Sequence, residues 1–230
     1  MWKSALTALS LSGQAALSCD LALVLAVDVS GSVDRDEYRI QMDGLAAALN
    51  DGIVAEALLD NRTMLTLLQW TGSSRQVQSL PWVEMRSFAD IAAFADQVTS
   101  HDRVWRNYST AIGEALEAGA VLFEQVPHCT RKVIDVSGDG RSNEGIEPRE
   151  MHASLRAQGI IVNALAIETD DTDLTAYFFE NLITGERAFV ETALGFEDYP
   201  AAILRKLQRE TARVAADARP DARIIDAKLK

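Results

Sequence analysis

Apolar and polar positions follow two rhythms along this chain. Residues 21–27, LALVLAV, form an unbroken apolar run, the pattern of a strand buried on both faces, and the run stops on Asp28. Residues 34–50 place Tyr38, Met42, Leu45 and Leu49 at helical spacing behind an acidic first turn, which predicts a helix. Residues 63–71 and 76–83 read as two strands. A short hairpin through Gly72 and Ser73 would make them antiparallel, and Pro81 marks an edge or a bulge. Further on, 87–98 is helical through Phe88, Ile91, Phe94 and Ala95, 101–108 is a polar and aromatic loop, and 110–123 is helical again. A strand at 131–137 is followed by the polar turn GDGRSNEG. A helix at 148–158 stops at Gly159, and a strand covers 160–167. The spacing then predicts a helix over 173–182, a short strand over 187–191 and a last helix over 196–215.

This alternation predicts one α/β domain over residues 19–215, with a doubly wound, mainly parallel central sheet, helices on both faces and one antiparallel edge strand. No repeat, low-complexity tract or linker divides it. Residues 1–18, MWKSALTALSLSGQAALS, read as a weak secretory signal or a disordered lead-in, and 216–230 as a tail. No apolar run reaches the ~18 residues that would suggest a membrane span. The formal charge of −12 argues against nucleic acid and anionic membrane as partners, because phosphate contact needs the opposite sign.

In a sheet of this class ligands sit at the carboxyl ends of the strands. Three polar clusters fall there: Asp28-Val-Ser30-Gly-Ser32 after the first strand, Ser109-Thr110 at a helix start, and Gly138-Asp139-Gly140 after the strand at 131–137. Every donor is a hard oxygen, the set that suits a hard divalent cation. Spacing two lets Ser30 and Ser32 reach one point once the chain turns over the strand end. Each cluster also has an ordinary reading. Asp28, Ser30, Ser109 or Thr110 could cap a helix, and Asp-Gly is a common turn. By average residue usage Asp-x-Ser-x-Ser occurs by chance in about one chain in twenty of this length, so the three clusters together carry the argument.

With VLAVDVSGSVD, STAIGEAL and VIDVSGDGRSN in this order, the chain resembles a von Willebrand factor type A (VWA) domain, over roughly residues 19–215. It looks most like an uncharacterised bacterial branch known as a domain of unknown function. The resemblance implies a Rossmann-like fold and a metal-ion-dependent adhesion site (MIDAS). Ser30, Ser32 and Thr110 would hold the cation directly, and Asp28 and Asp139 would act mostly through water. Thr110 is preferred to Ser109 because TAIGEAL spaces its apolar residues as the family's helix does. Gly138 departs from the family's more usual Thr-Asp-Gly and lacks that hydroxyl. Mg²⁺ is the favoured ion, with Mn²⁺ and Ca²⁺ as alternatives.

The implied function is protein or peptide binding, with the cation bridging to an Asp or Glu of the partner. The competing reading is a Mg²⁺-dependent phosphoryl-transfer or other hydrolytic enzyme on a Rossmann-like sheet. A haloacid dehalogenase would carry a second Asp where Ser30 stands, and no nucleophile–base pair, P-loop or G-x-S-x-G motif is present. Trp105, Arg106 and Tyr108 lie in the loop before Thr110 and are candidate partner contacts, since exposed aromatics with Arg often anchor interfaces; Trp105 and Tyr108 could equally cover the core.

Cys19 lies nine residues before Asp28 and Cys129 ten before Asp139. Counting back at ~3.3 Å per residue puts both about 30 Å below the carboxyl ends. If the sheet has the family's strand order, the two strands are neighbours and a Cys19–Cys129 disulfide is within reach. It would favour a periplasmic or secreted protein, the alternative being two unpaired buried cysteines in the cytoplasm.

Overall fold

A computed structural model describes residues 19–212. The expectations for 1–18 and 216–230 lie outside the described residues. Six strands, β1 (Cys19–Asp28), β2 (Met64–Trp70), β3 (Gln76–Glu84), β4 (Cys129–Gly138), β5 (Ile160–Ile167) and β6 (Val190–Ala193), form one sheet in the order β3-β2-β1-β4-β5-β6. All neighbours pair in parallel except β3, which lies antiparallel to β2 at the edge. Pro81 satisfies both sequence expectations: it is on that edge strand, and the β2–β3 register shifts on either side of Leu67, which pairs with the adjacent Leu80.

Among the described residues seven α-helices cover the sheet: α1 (Arg35–Leu49), α2 (Gly52–Asp60), α3 (Phe88–Ser100), α4 (Ile112–Leu122), α5 (Pro148–Ala157), α6 (Leu174–Asn181) and α7 (Tyr199–Thr211). Strand β1 explains why two layers are needed. Leu21, Leu23, Leu25 and Val27 face a core shared with α1, α2, α3 and α7. Ala22, Val24 and Ala26 face a second core under α4, α5 and α6. A strand apolar on both faces has to be sandwiched, so the doubly wound expectation stands.

Three local expectations change. The pattern above assigns nothing to 51–62, yet α2 forms there, capped by Asp51, which accepts from the N–H groups of Ile53 and Val54. The last strand starts at Val190 rather than 187, because Gly185 (φ 101°) and Arg187 (φ 60°) turn the chain just before it. Thr110 stands before α4 rather than inside it; the helix starts at Ile112.

β1 lies between β2 and β4, so the chain leaves β1 in one direction along the sheet and resumes on its other side. The carboxyl ends of β1 and β4 therefore meet at the switch point, where this architecture leaves a crevice. At the opposite edge Cys19 pairs with Cys129 in register, with Cα atoms 4.5 Å apart, and the two form a disulfide.

Candidate metal centre

Asp28 ends β1 and is fully buried. Its Oδ1 accepts the Ser30 N–H at 2.7 Å, while its buried Oδ2 has no hydrogen-bond partner among the described residues. The Ser30 and Ser32 hydroxyls lie 3.2 Å apart, and Ser32 Oγ donates to Asp139 Oδ1 at 2.7 Å. A continuous row of oxygens thus joins the loop after β1 to the loop after β4. Thr110 is buried with its hydroxyl towards the second loop: a Cβ added at Gly140 would lie 3.8 Å from Thr110 Oγ1. Ser109 turns away and donates to Glu144.

The helix-capping readings of these residues do not hold. Helix α1 is capped by Asp34, in a capping box with Glu37, and not by Asp28 or Ser30. The residue capping α4 is Ala111, without a side-chain bond, so the Thr110 hydroxyl is not spent on a cap. The structure gathers Asp28, Ser30, Ser32, Thr110 and Asp139 at one end of the sheet.

Several residues that the sequence reading did not single out hold these loops. Arg103 Nη2 donates to the carbonyls of Val29 and Ser30 at 2.9 and 2.7 Å, fixing the backbone of the serine loop. Gly31 lets that loop press against its neighbour. Its N–H donates to Tyr108 O at 2.7 Å, and a Cβ there would be 3.2 Å from the same oxygen. Asn143 clamps Thr110 from both sides: its Oδ1 accepts the Thr110 N–H and its own N–H donates to Thr110 O, both at 2.9 Å. Asn143 falls within the quoted VIDVSGDGRSN; nothing in spacing or composition marks Arg103. Gly138 also has a reason here. A Cβ would sit 3.0 Å from Asp28 Oδ2 and 3.5 Å from the ring of the buried Trp70, so a larger residue would crowd the carboxylate. We expect Asn143→Ala, which strips the acceptor from a buried N–H, to cost about 1–3 kcal/mol in thermal unfolding. An unchanged melting temperature would show that the clamp does not support Thr110.

Burial, and then the neighbouring Asp139 charge, push the Asp28 carboxyl up to about 7. Asp139 is itself raised, by burial and then by Asp170. An acid whose folded value lies above its unfolded value takes up protons on folding. The cation-free protein should therefore lose stability as pH rises from the ordinary carboxyl range through about 7. A divalent cation favours the ionised carboxylates, so the rise in melting temperature on adding Mg²⁺ should be larger at about pH 8 than at about pH 5. A gain independent of pH would separate the cation from these groups.

The three candidate contact residues divide. Trp105 is half-buried and packs on the core, Arg106 is exposed, and Tyr108 is exposed with the Arg75 guanidinium 3.8 Å above its ring. Elsewhere, ligand atoms of Cys19, His128 and Cys129 lie within 4.8 Å of one another, but the disulfide leaves no thiolate there for a metal.

A protein-family profile described as "Protein of unknown function (DUF1194)" matches residues 18–215. No curated protein matches the sequence. Among solved structures, proximal thread matrix protein 1 from the mussel byssus superposes with a TM-score of 0.62 at 19% identity, over 84% of this chain and 47% of that one. Another structure of that protein is described as having a zinc-occupied MIDAS motif. The von Willebrand factor type A protein from Catenulispora acidiphila gives 0.56 at 16% identity, over 84% and 42%. The pilus adhesin SpaC from Lactobacillus rhamnosus GG gives 0.59 at 13% identity, over 84% and 30%. This chain thus spans less than half of each of these proteins, and the likeness establishes the VWA fold.

Proposed function

The chain belongs to the DUF1194 family, and from that premise we propose that it is a cation-dependent binding module that captures a carboxylate of a protein or peptide partner. The observation that carries this reading is Asp28: a fully buried carboxylate with one oxygen unpartnered, beside a second buried carboxylate and a row of hydroxyls. An unpaired buried charge is costly, and a cation would offset it. The donor set fits. Adjacent ligands of an octahedral ion held at 2.0–2.1 Å are ~3.0 Å apart, close to the 3.2 Å between the Ser30 and Ser32 hydroxyls.

Ser30, Ser32 and Thr110 would hold the ion directly, with Asp28 and Asp139 acting largely through water. An ion held by neutral ligands stays electrophilic and would supply an attachment point for an incoming carboxylate. Oxygen-only donors favour Mg²⁺, with Mn²⁺ and Ca²⁺ as alternatives, and the zinc named for the mussel protein adds Zn²⁺ to the ions worth testing. Arg103 and Asn143 would keep the loops in place while a partner docks. The disulfide supports an oxidising compartment, hence periplasm or exterior.

Calorimetry on chelator-stripped protein tests the centre. One ion per chain is expected, with affinity about 10–100-fold weaker in Asp28→Ala. Equal binding by the mutant would overturn the assignment.

A further inference from the structure

A groove of about 570 Å³ opens beside the metal centre, between the start of α1 and the loop leading to Thr110. Gly31, the residue between the two site serines, forms part of its wall, and so does Arg103, which grips the serine loop. Arg35, Arg39 and Arg106 line the same groove. All three are exposed, and among the described residues none has a carboxylate within ion-pair distance.

The chain as a whole carries 34 acidic and 22 basic residues. Arg35 and Arg39 are also four apart on one helix, where like charges repel mildly. Three acids reach the groove as well. Asp34 is committed to the N–H groups of Asp36 and Glu37, and Asp43 and Asp102 are exposed. With Arg103 the lining holds four arginines against three aspartates, a local positive excess in an acidic chain, and a cleft with such an excess draws counter-charged ligands.

We propose that this groove seats further acidic side chains of the partner whose carboxylate reaches the cation, so that the ligand is an acidic segment and not a lone carboxylate. The proposal rests on the metal-bridging reading for its anchor, and on the three arginines for its selectivity. Planar guanidinium groups suit carboxylates through paired N–H donors.

Two blocked, labelled peptides of equal length would serve as probes. One carries a single Asp among glycines, and the other the same Asp followed by four Glu. In saturating Mg²⁺ at low salt, the acid-rich peptide should bind about tenfold tighter, the summed effect of a few exposed ion pairs. Arg35→Ala/Arg39→Ala/Arg106→Ala should bring it down to the single-acid level, with cation affinity unchanged as the check on folding. Equal binding of the two peptides, no binding of the acid-rich one, or a triple variant that still discriminates would overturn the proposal. Chelator separates the two readings. Arginine-dependent binding that survives chelation keeps the groove and removes the metal bridge. Mg²⁺-dependent binding without discrimination keeps the bridge and removes the groove.

Discussion

Lys206→Met is expected to destabilise the protein by about 3–5 kcal/mol, a drop of roughly 10 °C or more in melting temperature. Lys206 is fully buried on the inner face of α7. Its Nζ contacts Asp135 Oδ1 of β4 and Glu210 Oε2, the latter at 2.9 Å. Asn163 Nδ2 from β5 donates to Glu210 Oε1 at 2.7 Å. Two carboxylates share one ammonium, and the cluster resolves this unequally. Burial, against the pull of Lys206 and with the push of Glu210, holds Asp135 well above the usual carboxyl range. Glu210, despite its burial, is held below that range by Lys206 and by bonds from Asp135 and Asn163. The state that fits is a neutral Asp135 beside a Glu210–Lys206 ion pair. Removing the ammonium strands a buried anion, which costs far more than the pair itself contributes. Lys206→Met combined with Glu210→Gln should regain much of the loss, and equal destabilisation in the single and double variants would contradict this account.

Cys19→Ser/Cys129→Ser should cost about 4–5 kcal/mol in the chain-entropy model, because the bond closes a loop with a sequence separation of 110. The bond also ties the two central strands, β1 and β4, together at the ends away from the loops that carry Ser30, Ser32 and Asp139. The variant should therefore melt at a markedly lower temperature yet bind the cation as before at 25 °C. A stability change under about 1 kcal/mol would mean that the unfolded chain is already compact around these strands. Cation affinity lost along with the bond would mean that strain passes along β1 and β4 to the site.

Both clusters show where sequence reading succeeds and where it stops. The disulfide needs only a count of residues along two strands plus their adjacency, and the structure supplies that adjacency. For the ion triad, spacing predicts the last helix but does not mark Lys206 or Glu210, because only the closed structure shows that they share the buried stripe of Tyr199, Ala202, Ile203 and Leu207. The partner Asp135 was not marked either, because it sits inside a strand whose neighbours are apolar.

The sequence by itself determined the alternation of strands and helices, the two-sided burial of β1, and the three loops whose oxygens meet. These follow from local rules: residue spacing decides which face a side chain takes, and a strand end or turn decides where polar groups collect. Helix α2 escaped because its nine residues are too few for a clear period, and its cap, Asp51, follows directly on the end of α1. The tertiary structure alone decided that Arg103 and Asn143 hold the loops after β1 and β4, and that three arginines without an ion pair among the described residues border them. These are contacts between segments distant in the chain, set by how the layers close on one another, and no local pattern encodes them.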